Sequence, residues 1–466
     1  MEIMTQEHLT STVEEDIPNL KESIFSSLDD GVLKSFQWGA LFLYLLSYFY
    51  ASSLLEFQTV YLFPMAIGLI LFVEYLANKL ALPFFQMEGP GGNLLETRLF
   101  LTMTLLQSLA LSIWGFHPQM EFFQFVVLHA SFVFYVLART GRLTQGRLGI
   151  MVWFDSIQAF LILPFQNFLT GVLVFLQKSS SATHKNSDKK IPSNIKHLGT
   201  ISLSILVAGM LVFFVWTQLS QVSENFFSLT SGIGTQIQLF FSQIFSSIQD
   251  PLLLPKTLFA LPVSLYLYGL ISGSLLGRKE TFLTYRKFQK SIRPLQVSPT
   301  YTAYIVLGSL CAIYALFFLT GLSELNQLLG SDNIAAHAAS SVAVAGFWQL
   351  VRVSLLNFAV LAAFYLIAKK PLWDQKGTRL MTTLLFIFAS LLALLAGWKL
   401  FGIYIFLYGP TPLRLLSAWF VLVLLIWCML TLIRLYKPIQ AIRIGLLYAL
   451  ISFTFLCYLY PLLLNR

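Results

Sequence analysis

Runs of about twenty apolar residues, the length that crosses a bilayer as a helix, recur along this chain. They lie near 36–55, 57–77, 98–116, 121–138, 199–219, 257–276, 299–320, 346–368, 380–397, 413–433 and 444–463. Lipid offers no water to backbone N–H and C=O groups, so each run must close its hydrogen bonds internally as a helix. The fold class is all-α: a polytopic transmembrane bundle of about 11 spans. Composition agrees, with 57% of the 466 residues hydrophobic and only 11% charged. A soluble chain carries about a quarter charged residues.

One segment, residues 150–177, is apolar and long enough to be a twelfth span. Asp155, Gln158, Gln166 and Thr170 share one helical face, however, and Pro164 interrupts the pattern. Basic residues decide its expected position, because Lys and Arg accumulate in cytoplasmic loops. If 150–177 does not span and the N-terminus is inside, 25 of the 30 basic residues fall in inner loops. Only Lys256, Lys399, Arg414 and Arg466 then lie outside, with Arg352 inside a span. If it spans, the majority moves outside. The expectation is eleven spans, N-terminus in and C-terminus out, with 150–177 a broken amphipathic helix on the inner surface and Asp155 facing water.

The organisation follows. Residues 1–35 form an acidic cytoplasmic tail, with no basic start or early apolar core of a cleavable signal. Residues 36–177 form a four-span half with its interfacial segment, 178–198 a Ser/Lys-rich cytoplasmic linker, and 199–466 a seven-span half. Within the seven-span half, the stretch 223–249 repeats Phe226, Leu229, Ile233, Ile237, Phe240, Ile244 and Ile248 at helical steps. It is expected to be an amphipathic helix on the outer surface.

Several function classes are excluded or weak. The net charge of +9 reflects inner loops rather than nucleic-acid binding. Cys311, Cys428 and Cys457 sit singly in apolar runs, so neither a disulfide framework nor a metal site is expected. No metalloprotease, nucleophile-elbow or deaminase pattern occurs, and the Gly-rich 88–98 lacks the ending of a phosphate loop. No cofactor is expected, and no catalytic residue emerges. His129, within a span, is expected to bond to a neighbouring helix.

The C-terminal half carries the remaining signal. Tyr404 precedes Tyr408, Gly409, Pro410, Thr411, Pro412 and Arg414, a stretch that must break any helix. Broken backbone at membrane depth is tolerated where it is buried in protein or lines a cavity. Here the chain resembles the bacterial multi-span membrane proteins of domain of unknown function 4153 and its relative 4173. The likeness rests on Lys399, Tyr404, Tyr408, Gly409, Thr411 and Arg414, with Pro410 where those proteins have Leu. A second motif is matched by Gly346, Phe347, Trp348 and Leu350, though Val342 and Val344 replace a Tyr and an Arg. A third is Asp155, Pro164, Phe165, Asn167 and Phe168. The resemblance implies a multi-pass protein of the bacterial plasma (inner) membrane and no defined activity.

An arginine inside a span needs a local reason, because insertion costs roughly 2.5–3.5 kcal/mol. Helical phase places Ser341, Trp348 and Gln349 beside Arg352, a polar stripe expected to lead into the bundle. Separate pairing with Glu56, Glu121, Glu324 or Asp332 is one reason. The other is convergence of Arg352, Lys399 and Arg414 on one outer cavity that binds an anionic headgroup between Tyr404 and Tyr408. Three functions remain open at this point. The chain transports or handles an anionic lipid-like substrate, with membrane lipids as partners. It is an intramembrane glycosyl- or acyl-transferase. Or it is a structural or signalling partner without a substrate.

Overall fold

The computed structural model describes residues 25, 28–56, 58–82, 94–176, 232, 253–277, 285–329, 336–406 and 409–464. Among these the chain is helical, with a single isolated bridge pairing Ser298 and Ala368. The helices are α1 Asp30–Leu55, α2 Leu62–Lys79, α3 Leu94–Trp114, α4 Glu121–Arg139, α5 Val152–Ile157, α6 Leu163–Gln166 and α7 Thr170–Leu176. They continue with α8 Leu253–Leu276, α9 Tyr285–Ile292, α10 Thr300–Leu329, α11 Ala336–Ile367, α12 Lys376–Trp398, α13 Pro412–Tyr436 and α14 Ala441–Leu464.

Among the described residues, ten helices are long and apolar enough to cross a membrane. They coincide with ten of the eleven apolar runs. The run 199–219, the amphipathic stretch 223–249, the linker 178–198 and most of the acidic tail lie outside the described residues. The segment 150–177 is broken, as its proline requires. Two short helices, α5 and α6, flank a π-helical stretch, Gln158–Ile162, and a turn at 167–169 precedes α7. Pro164 has no N–H to return to Phe160, so the repeat widens just before it.

The chain forms two compact units. The first contains described residues within 25–51, 72–82, 161–176 and 253–277. Here α8 runs antiparallel to α1: the Tyr268 hydroxyl donates to the Phe36 carbonyl (3.1 Å) and the Tyr44 hydroxyl to the Thr257 carbonyl (3.3 Å). The α6–α7 elbow lies on the small residues of α8. A Cβ added at Gly269 would sit 2.5 Å from the Pro164 carbonyl oxygen, and one at Gly273 would strike the Asn167 amide. Pro164 and Asn167 thus form a tight backbone-to-backbone packing point. The Asn167 side chain donates to the Leu163 carbonyl at 2.9 Å and holds the turn.

The second unit contains described residues within 52–71, 94–160 and 285–464. Two parallel pairs organise it. Along α3 and α14, Glu96 faces Arg443, Gln107 donates to Thr454 (2.9 Å), and the Trp114 and Tyr458 rings meet edge to face at 5.2 Å. Along α10 and α12, Cys311 reaches the Met381 carbonyl and Tyr314 packs on Phe388. Between α10 and α12 the chain returns as α11, with the Tyr314 hydroxyl bonded to Asn357 (2.8 Å). Helices α12, α13 and α14 alternate direction, fixed by Thr383 with Tyr436 and by Trp427 with the Gly445 carbonyl. A core of Leu307, Leu350, Val351, Phe386, Ala389, Leu400, Val421 and Cys428 fills the space between α10 and α13.

This unit therefore has two ends of different charge. One gathers the start of α3, the end of α4, the α11–α12 connection and the α13–α14 connection. It carries Arg98, Arg139, Arg142, Lys369, Lys370, Lys376, Arg379, Arg434, Lys437 and Arg443. The other gathers residues 115–120, the α12–α13 connection and the end of α14, with Lys399 and Arg414 as its described cations.

Candidate functional site

The α12–α13 connection builds the second end. Beyond Trp398 the helix continues as a π-helical stretch, Lys399–Ile405, rather than stopping. Widened turns of this kind cluster at functional sites because they aim side chains that an α-helix would not. The Gly409 N–H closes on the Ile405 carbonyl at 2.8 Å, and Gly409 adopts φ +76°, the left-handed region that favours glycine. Thr411 then caps α13 by accepting from the Arg414 N–H (3.4 Å), with Pro412 at the first helical position. The Arg414 guanidinium folds back and donates to the Gly409 carbonyl at 2.6 Å. Gly409, Thr411 and Arg414 are thus one elbow, held half-buried. The side chain of Tyr404 and the whole of Tyr408 lie outside the described residues.

Helix α11 packs against the Lys399–Ile405 stretch. Leu350 and Val351 share one buried cluster with Leu400, and Ile405 packs against it. Arg352, adjacent to Val351, projects the other way. It is exposed, between Trp348 on one side and Leu355 and Leu356 on the other. The buried face of α11 is Leu350, Val351, Ser354 and Asn357. Trp348, Gln349 and Arg352 do share a stripe, but it faces off the surface of this unit rather than into the bundle. Apolar residues line both sides of α11, so phase gives the neighbours of Arg352 without giving the face that packs. Arg352 has no hydrogen-bond or ion-pair partner among the described residues. Gly346 and Phe347 lie in α11, with side chains outside the described set.

Asp155 is corrected in environment. It is fully buried, not water-facing, and accepts from both the N–H and the hydroxyl of Thr144. The loop 140–151 folds over α5 to make these bonds. Burial raises the Asp155 pKa above the ordinary carboxylate value, and the Thr144 hydrogen bonds partly oppose the rise. His129 Nδ1 meets the Phe125 carbonyl of its own helix at 2.6 Å.

Sequence reasoning missed the buried polar contacts between α3, α4 and α14. Glu96 is fully buried and lies 2.7 Å from Arg443 Nε. Gln124 accepts from the His117 N–H (2.8 Å), and His117 Nε2 lies 2.9 Å from the Cys457 carbonyl oxygen. Burial lowers the His117 pKa, partly offset by that bond. The three cysteines are free; Cys428 and Cys457 are buried and Cys311 half-buried. No group of three His, Cys, Asp or Glu residues placed to hold a metal occurs among the described residues.

The profile of the family described as "Domain of unknown function (DUF4153)" matches residues 101–464. The chain belongs to the DUF4153 family. No curated protein and no solved structure matches it. The DUF4153 match takes in α11, the π-helical stretch and the Gly409–Arg414 elbow, so the site lies within the family region.

Proposed function

We propose that this DUF4153 protein is a multi-pass protein of the bacterial plasma membrane that handles an anionic, lipid-like substrate at the end bearing Lys399 and Arg414. We place that end outside, in an eleven-span arrangement with the N-terminus in and the C-terminus out. The unequal charge of the two ends of the second unit supports this orientation.

The observation that carries the reading is Arg352. A guanidinium exposed on an apolar helix face, without a carboxylate partner among the described residues, is placed to take an anion from the membrane itself; the side chains of Glu324 and Asp332 lie outside the described residues. In the apolar run 346–368 it lies six residues, roughly 9 Å, from the outer edge, within reach of a headgroup phosphate. Lys399 and Arg414 add two cations at the same end, on an elbow packed against the same helix. Arg352 is exposed and projects away from the cluster of Val351 and Leu400, which favours a surface site open to lipid over an enclosed cavity.

The test is native mass spectrometry of the full chain purified in mild detergent, with co-purifying anionic amphiphiles identified. Arg352→Gln and Arg414→Gln are expected to lose the same ligand, with no additive loss in the double variant. Retention of that ligand by both variants refutes the proposal.

A further inference from the structure

We propose a second anion site at the opposite end of the same unit, where Arg379 and Arg434 converge on Trp373 to take a phosphate ester. Arg379, in the first turn of α12, donates through Nε and Nη2 to the Trp373 carbonyl at 2.8 and 2.6 Å. Its guanidinium carbon also lies 5.8 Å from the centroid of the Tyr436 ring. Arg434, near the end of α13, places its own guanidinium carbon 5.6 Å from the Trp373 ring centroid. Two cations from different helices therefore touch one residue.

The arrangement is held from below. The Thr383 hydroxyl donates to the Arg379 carbonyl at 2.8 Å, which uses its proton. At the 2.8 Å contact between Thr383 and Tyr436, the tyrosine must therefore be the donor. That bond fixes the Tyr436 ring under Arg379. The two bonds to Trp373 leave three N–H donors on Arg379, and Arg434 keeps all five.

Neither arginine pairs with a carboxylate among the described residues, and Asp374, exposed in the same connection, pairs with no cation. Like charges gathered without a counter-ion repel, and an anion seated between them turns that repulsion into attraction. Planar guanidinium donors on aromatic platforms fit a phosphate oxygen edge better than a compact, strongly hydrated ammonium does. Exposure of Arg434 and Tyr436 leaves the site open. The shared ligand chemistry is a phosphate ester, from a lipid headgroup or a soluble molecule.

The test uses the full chain in neutral detergent, titrated in parallel with phosphatidylglycerol and with inorganic phosphate and read by native mass spectrometry. Arg434→Gln is expected to weaken phosphatidylglycerol binding by about tenfold, the scale of one lost charge-assisted contact. Lys437→Gln, an exposed cation three residues on, should change it by less than about twofold. Arg434→Lys should resemble the glutamine variant, because it keeps the charge without the flat fork. Arg434-dependent binding of the lipid alone assigns a headgroup. Arg434-dependent binding of inorganic phosphate assigns a soluble ester. Equal losses in Arg434→Gln and Lys437→Gln overturn the proposal, as does binding of both probes unchanged by Arg434→Gln. Arg352→Gln should leave this site intact, so its failure and that of the outer site are separable.

Discussion

Removing Arg443 while keeping Glu96 tests how the second unit is held together. Glu96 is fully buried, while the Arg443 side chain is 19% exposed. Neither Glu96 oxygen accepts an aligned hydrogen bond, and Arg443 Nε lies within 2.7 Å without its N–H aimed at the oxygen. The pair rests on charge attraction in a dry environment, with little hydrogen bonding to offset desolvation. Arg443→Met keeps the apolar stem and strands the carboxylate, at an expected cost of about 3–5 kcal/mol. Partial exposure of Arg443 places the effect in the lower half of that range. Pairing Arg443→Met with Glu96→Leu removes both charges, and the double variant should match or exceed the native chain, by up to about 4 kcal/mol. Unfolding of the purified protein by titrated denaturing detergent in mixed micelles, followed by circular dichroism, measures all three. An Arg443→Met loss below about 1 kcal/mol, or a double variant as unstable as the single, refutes the reasoning.

Three further outcomes are expected. Asp155 has a raised pKa in the folded state, so its contribution to stability is fully present below the ordinary carboxylate range and is lost as pH rises through the folded value; Asp155→Asn should flatten that fall in a thermal-unfolding series from pH 4 to pH 8, using about pH 4 as the carboxylate reference. Gly269→Ala should destabilise by about 1–3 kcal/mol through overpacking against the Pro164 carbonyl, whereas Gly308→Ala, whose Cβ meets nothing within 4 Å, should not, as read by parallel thermal melts. In intact cells an impermeant maleimide should label cysteine at exposed Glu121 or Pro410. Cysteine at exposed Asp374 should react only after permeabilisation, and the reverse pattern inverts the proposed orientation.

Hydropathy made the helices legible, because a span must be apolar along its whole length whatever it packs against. Pro164 made the break in 150–177 legible, since a missing N–H acts locally. The environment of Asp155 was not legible. A polar face on an amphipathic segment reads as solvated, and only the return of the 140–151 loop with Thr144 gives the carboxylate buried donors. The Arg352 stripe was half legible: spacing gives which residues neighbour it, but α11 is apolar on every side and its pattern names no inward face. The Gly409–Arg414 elbow was legible as a break, and its internal bond from Arg414 to the Gly409 carbonyl was not. Arg443 reads as one more loop cation, and nothing local in the sequence points to Glu96.

The parallel pairing of α3 with α14 has a consequence for biosynthesis. Gln107 and Thr454 are 347 residues apart, and chains elongate at about 5–20 residues per second. On that scale α3 waits on the order of 20–70 seconds in the bilayer before its partner helix emerges. During that interval Glu96 lacks its arginine and Gln107 its hydroxyl, both facing hydrocarbon or a temporary substitute. A nascent chain stopped before α14 should therefore be held by the insertion machinery or degraded, rather than accumulate as a stable bundle. Helix α14, made long after α3, completes the polar contacts of α3.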